Sequence, residues 1–201
     1  MKFEHRLMTS NFIKSDFTLV KKLLSSNNPI LTQNKYVKKF ENLWSKWLGV
    51  KYSVFVNSGS SANFLTISVL KHINKKNKKN EIILPAFTWI SDIVSVIKNN
   101  YKPIFVDINS KNLCMDLDQV KKKISKKTLA IFITHAQGFN GFNREIIKIA
   151  KKKKILILED VCESHGAKFG SKKLGSIGHI SNFSFYYAHH LSTIEGGMIC
   201  T

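Results

Sequence analysis

The run Glu81–Ile108, "EIILPAFTWISDIVSVIKNNYKPIFVDI", decides the fold. "EIILPA" is a short apolar stretch with strand character. "WISDIVSVIKNN" then carries its apolar residues at the spacing of an amphipathic helix, and "PIFVDI" returns to strand. A strand, a helix and a strand in quick succession argue for an α/β layered domain with a largely parallel sheet.

The alternation continues in both directions. Upstream, one helix is expected from about Phe17 to Ser25. A second spans "NKYVKKFENLWSKWLG", where Val37, Phe40, Leu43, Trp44, Trp47 and Leu48 share a face and Gly49 is the stop. "YSVFVN" reads as a strand and "SGSSANFLTISVLKHI" as a helix with a small, polar start. A Lys/Asn loop lies around residues 74–80. Downstream come the helix "DLDQVKKKIS", the strand "LAIFIT", the helix "REIIKIAKKK" and the strand "ILILED", with "ISNFSF" and "GMIC" as two more strands. The strands are β-branched and apolar throughout, as suits a sheet covered by helices on both faces. No internal repeat or linker divides residues 1–201, so one domain is expected. The last strand closes at Thr201 with nothing to cover it, which predicts that the chain is the first part of a longer protein.

Composition narrows the class. The chain is 43% hydrophobic, an ordinary globular value, and no stretch reaches the length of a membrane span. "MKFEHRLMTSNF" has no apolar run that would serve as a signal peptide, so a soluble, cytoplasmic protein is expected. Cys114, Cys162 and Cys200 are widely spaced, without a CxxC pair, and are expected to be reduced and to bind no metal. The net charge of +19 raises the question of nucleic acid. Yet the lysines fall in runs suited to loops and helix ends, and Arg6 and Arg144 are the only arginines. Solvated lysine faces are the expectation, with no nucleic-acid partner and no membrane.

Ligands in such sheets sit at the carboxyl ends of the strands, and three groups of residues fall there. "NSGSSAN", Asn57 to Asn63, joins a strand to a helix. Gly59 lets the chain turn, Ser60 and Ser61 offer hydroxyls, and the helix start suits a phosphate, although a serine cap explains the stretch equally. In "ILILEDVCES", Asp160 ends a buried strand, where a carboxylate is costly without a partner. It can hold a cationic ring nitrogen or cap a helix, and Glu163 follows close by. In "SFYYAHHLSTIEGG", Ser184 offers a further phosphate contact, and His189 or His190 is a candidate general base. Trp89 adds a flat apolar face after another strand, or a core tryptophan.

Taken in order, "NSGSSAN", "LPAFTW", "FVDI", "LEDVCESHGA" and "SFYYAHH…EGG" resemble the large domain of the DegT/StrS-type sugar aminotransferases. These are pyridoxal-phosphate (PLP) enzymes of the aspartate-aminotransferase fold, acting on nucleotide-linked keto sugars. The resemblance runs from about Asp16 to Thr201. It implies the PLP-binding large domain of a fold type I enzyme, without its small C-terminal domain. It implies that Gly59, Ser60 and Ser184 hold the cofactor phosphate and that Trp89 stacks on its ring. Asp160 would pair with the pyridine nitrogen, and Glu163 would stand where most relatives carry a glutamine near the ring hydroxyl.

One position departs from the aminotransferase pattern. Those enzymes carry their Schiff-base lysine five residues after the serine and six before the glutamate of the glycine pair, and here both counts end on His189. An imidazole cannot form that bond but can move protons. This is the pattern of the family's sugar 3-dehydratases, which work through pyridoxamine phosphate (PMP). The resemblance then implies that His189 takes a proton from the cofactor's methylene carbon and that the carbon-3 hydroxyl of a 4-keto-6-deoxy sugar leaves. The resemblance further implies a place in dideoxysugar and O-antigen lipopolysaccharide biosynthesis. One subclass regenerates its cofactor with glutamate; another uses an iron–sulfur cluster whose cysteines would lie beyond Thr201, so both stay open. "CESHGA" and "STIEGGMICT" look more like the glutamate-dependent type acting on a GDP-sugar. A homodimer with a shared active site is also implied. The rival readings are an ordinary aminotransferase using Lys168, Lys172 or Lys173, and a non-catalytic relative.

Overall fold

The computed structural model describes residues 12–74 and 78–201. The N-terminal stretch searched for a signal peptide and the middle of the Lys/Asn loop lie outside the described residues.

Two helices open the described chain, α1 (Lys14–Leu24) and α2 (Lys35–Leu48). Asn34 caps α2 by accepting from the Tyr36 N–H at 2.8 Å, and Gly49 ends it at φ 85°, a conformation that only glycine adopts freely. Strand β1 (Ser53–Val56) leads into α3 (Gly59–Ile73). Next come β2 (Glu81–Pro85), α4 (Ile90–Lys98), β3 (Lys102–Val106), α5 (Leu117–Lys123) and β4 (Thr128–Thr134). A 3-10 turn at Ala136–Gly138 precedes α6 (Arg144–Lys153) and β5 (Leu156–Asp160). The chain closes with a small hairpin of β6 (Lys168–Phe169) and β7 (Lys172–Lys173), then β8 (Ile180–Ser184) and β9 (Gly197–Cys200).

Seven strands form one sheet in the order β1-β9-β8-β5-β4-β2-β3. Strands β3, β2, β4, β5 and β8 run parallel; β9 is antiparallel to both its neighbours. The carboxyl ends of the parallel strands, the end of β1 and the start of β9 therefore lie along one edge.

The alternation of side chains along each strand splits the core into two layers. Ile83, Ile131, Ile133 and Ile157 face α2, α5 and α6 together with Trp44, Val120 and Ile146. Ile82, Leu84, Phe132 and Leu158 face α3 and α4 with Ile67, Leu70 and Val96. Each such side chain, fully buried, contributes roughly 1.5–3 kcal/mol. An α/β domain with a mostly parallel sheet covered on both faces is what the sequence predicts.

Two local expectations need correction. The apolar face of α2 is narrower than its sequence suggests: Trp44 and Leu48 are buried, while Leu43 is 53% exposed. The Trp44 ring packs edge-on against Phe183 at 5.1 Å and Phe185 at 4.9 Å, and Leu43, one residue earlier on the helix, is turned about 100° away from it. The stretch "GAKFGSKKLG", to which the sequence pattern assigns no strand, contains the β6–β7 hairpin turned by Gly170 at φ 62°. No helix among the described residues is long and apolar enough to cross a membrane.

Candidate functional site

Along the carboxyl edge the chain turns directly from β1 into α3. Ser58 caps the helix, its Oγ accepting from the Ser61 N–H at 3.1 Å. Gly59 and Ser60 occupy the first turn, where backbone N–H groups have no acceptor within the helix. Gly59 is there for space. A Cβ on it would lie 2.6 Å from the Ser184 Cβ and 3.0 Å from the Cys162 Sγ. The end of β8 and the loop after β5 are thus packed against the helix start, which brings Ser184 and Gly59 together. The glycine pair before β9 has the same cause. A side chain on Gly197 would overlap the Ser58 carbonyl, and one on Gly196 would meet the Phe55 ring. Ser60 is exposed and opens on a shallow groove of about 520 Å³ that Gln33, Asn57 and Phe64 also line.

Asp160 ends β5 nearly buried, at 4% exposure. Its Oδ1 accepts from the Cys162 N–H at 2.9 Å and its Oδ2 from the Asn63 side-chain amide at 3.1 Å. One oxygen holds the following turn and the other is fixed from α3, so the carboxylate cannot swing away.

Glu163, half-buried in the same loop, accepts from the backbone N–H of Gln137 at 3.0 Å and from its side chain at 3.2 Å. Gln137 stands at φ 52° to make this contact. Trp89, 66% exposed, precedes α4 at the end of β2.

His189 lies in the loop between β8 and β9, where its N–H donates to the Tyr186 carbonyl at 3.0 Å. Burial pushes its imidazole below the ordinary value. The Glu163 and Asp160 carboxylates pull the other way, and His190 adds to the lowering. The net direction favours the neutral ring, which is the form that accepts a proton. His190 is exposed. His189, the histidine at the lysine position of the sequence pattern, is electrostatically linked to Asp160 and Glu163.

Several residues of this edge escaped the sequence reading. Asn63 follows Gly59 by one helical turn, a spacing that points it at the same site. Asp92 is fully buried on the sheet-facing side of α4, with Thr88 and Thr134 against it. Its signal was an acid sharing a helical stripe with the buried Ser95 and Val96. His165 sits among Trp44, Phe183 and Phe185, with His189 and His190 at ring distances of 6.3 and 5.8 Å. Burial, followed by the charges of those two histidines, drives its pKa down to about 4. Burial first, then the Asp160 carboxylate, raises the Cys162 thiol well above the usual range, which disfavours the thiolate.

The lysines that an ordinary aminotransferase would need are elsewhere. Lys168, Lys172 and Lys173 belong to the hairpin, and the Lys173 ammonium donates to the Trp47 carbonyl at 2.6 Å.

Known proteins resemble this chain in sequence and in fold. Over 197 residues the chain is 36% identical to the GDP-4-keto-6-deoxy-D-mannose 3-dehydratase of Yersinia pseudotuberculosis, covering 97% of this chain and 50% of that protein. A solved structure of the Escherichia coli GDP-4-keto-6-deoxy-D-mannose-3-dehydratase with bound hydrated PLP matches with a TM-score of 0.92. It is 35% identical and covers 98% of this chain and 51% of its own. A GDP-4-keto-6-deoxymannose-3-dehydratase with a trapped PLP-glutamate geminal diamine matches equally, with a TM-score of 0.92 at 34% identity over 98% and 51% of the two chains. The chain spans about half the length of the curated relatives it matches. With the sequence pattern of the DegT/DnrJ/EryC1/StrS aminotransferases matching residues 12–201, the chain belongs to that family.

Proposed function

We propose that this chain is the cofactor-binding part of a PLP/PMP-dependent 3-dehydratase acting on a nucleotide-linked 4-keto-6-deoxy sugar. The observation that carries the reading is His189. It takes the lysine's place in the sequence, its imidazole is held toward the neutral form, and the Asp160 and Glu163 carboxylates lie within electrostatic reach.

The residues suit the cofactor. Gly59, Ser60 and Ser184 gather backbone N–H groups and hydroxyls at a helix start, a fit for a phosphate dianion. Asp160, fixed through both oxygens, suits a protonated pyridine nitrogen. Trp89 offers an exposed ring for stacking, and Glu163 an acceptor on the loop beyond Asp160. When bound, the cofactor supplies an electron sink in conjugation with the substrate carbon. The protein's part is to keep Asp160 ionically paired with the ring and to move a proton through His189 at the cofactor's methylene carbon. A neutral imidazole accepts that proton, and it cannot capture the cofactor covalently as a lysine would. Glutamate is the proposed amino donor, in line with the adduct in the related structure.

The substrate proposed is a GDP-sugar, as the names of the similar dehydratases suggest. A homodimer is proposed as well, since Phe64, Leu65, Val69, Val94 and Ile97 expose apolar surface on α3 and α4. Three free cysteines suit the reducing cytoplasm.

The test is the mass of the product made by the full-length protein from PLP, glutamate and a GDP-4-keto-6-deoxy sugar. Loss of the carbon-3 oxygen with the ketone retained is expected, and borohydride should trap no lysine adduct. An amine in place of the ketone, or a reducible lysine adduct, would mean transamination and end the dehydratase reading.

A further inference from the structure

Beneath Asp160 lies a second carboxyl that nothing above uses. Asp92, 1% exposed, presents its two oxygens to two different parts of the site. Toward Asp160, the side-chain N of Asn63 lies against Asp92 Oδ1, 3.1 Å from Asp160 Oδ2 and 3.1 Å from Ser91 Oγ. Toward the Trp89 loop, Asp92 Oδ2 accepts from the hydroxyls of Thr88 and of Thr134, the latter at 3.2 Å. Those hydroxyls are 2.7 Å from each other. The Asp92 N–H itself donates to the Trp89 carbonyl at 3.0 Å. A single side chain thus joins the end of β5, the end of β4 and the loop after β2.

We propose that Asp92 is a positioning residue for the cofactor ring, fixing at once the carboxylate of Asp160 below the ring nitrogen and the loop that carries Trp89. This inference rests on the cofactor reading given above.

The neighbouring carboxyls define its form. The Asn63 amide bridges Asp92 Oδ1 and Asp160 Oδ2, and the Ser91 hydroxyl beside it brings its own proton. Two buried carboxylates this close repel each other, and a proton kept on Asp92 relieves that repulsion. Burial, then the adjacent Asp160 charge, raises Asp92 well above the ordinary carboxylate range, which favours that state. Asp92 therefore acts as a neutral acid, and an amide can replace it.

The experiment uses the full-length protein as wild type, Asp92→Ala, Asp92→Asn and Thr66→Val. Thr66 is equally buried on α3 and bonds Asn182 at 2.7 Å, outside the Asp92 cluster, and so reports the effect of a generic buried loss. Two quantities are read: amide hydrogen exchange across residues 86–93 of the apoprotein, and PLP affinity from its absorbance. Asp92→Ala should speed exchange in that loop and weaken PLP about 10–100-fold, the loss of one or two hydrogen bonds to a charged group. Asp92→Asn should restore most of both, and Thr66→Val should change neither. Native exchange in Asp92→Ala, or an Asn variant as damaged as the Ala variant, overturns the proposal. Faster loop exchange in Asp92→Ala beside a wild type that takes up no PLP would leave the clamp standing and remove the cofactor reading instead. Should Asp92→Ala not fold, Thr134→Val carries the same test: faster exchange at 86–93 supports the clamp and unchanged exchange overturns it.

Discussion

Glu159 and Asp160 are neighbours at the end of β5, yet strand alternation sends them to opposite faces of the sheet, and the two faces treat a carboxylate differently. Glu159 is fully buried and surrounded by donors. The backbone N–H groups of Gly175, Ile177 and Gly178 point at it, the second at 3.0 Å, and His135 Nε2 lies 3.2 Å away. It ties down the loop before β8 and has nothing left to offer. Asp160 accepts from the Cys162 N–H and the Asn63 amide, and a second acid, Asp92, stands beside it. One carboxylate is closed by the protein; the other is aimed and left short of positive charge. A buried acid that is rigid but has few donors is what the proposed pairing of Asp160 with a cationic ring nitrogen requires.

That contrast can be broken on either side. The largest effect is expected at His189, on the open side. His189→Asn should lower turnover of the full-length protein by about 10²–10⁴-fold, the usual worth of a general base, with PLP affinity kept. Because burial lowers the imidazole, activity should persist as pH falls below the ordinary histidine value of 6.5 and fail only further down. A pH–rate profile whose acid limb sits at or above that value would contradict the assignment.

On the closed side the loss should appear as stability. Glu159→Ala strands three N–H groups and His135 in the interior, and urea unfolding should show a loss of roughly 3–5 kcal/mol. An unchanged midpoint would mean that the loop before β8 does not depend on this carboxylate.

The smallest effect concerns acid. The folded-state pKa of His165, about 4, lies below its ordinary 6.5, so the unfolded chain binds the proton first. Its contribution is intact above about 6.5 and is lost as pH falls toward 4, by on the order of 3 kcal/mol. His165→Phe should flatten that part of the stability–pH curve; a curve of unchanged slope would show that other groups carry it.

The strands and helices were legible because their periodicities are strong and their ends are marked. "NKYV" begins with a cap, Gly49 ends the helix it starts, and "ILILED" has no polar residue until the edge of the sheet. The residues grouped at that edge were legible through fold logic, since the turns after β1, β5 and β8 all face one side. What stayed hidden were contacts between distant segments. Asn63, Asp92 and Thr134 are far apart in sequence, and each is individually an ordinary polar residue. Only the packing of α3 and α4 on the sheet makes them one cluster. The two-residue strands of the hairpin were invisible for another reason: they are too short to show any period.

The position of β9 has a consequence for how the molecule comes together. It follows β8 in sequence, yet it lies between β8 and β1, the first strand of the described residues. Until residues 197–200 leave the ribosome, β1 has no partner, while the five parallel strands can already pair. Gly197 packs against the turn at Ser58–Gly59 so closely that a Cβ on it would overlap the Ser58 carbonyl oxygen. A nascent chain stalled short of that strand would expose the edge of β8 to any other strand nearby.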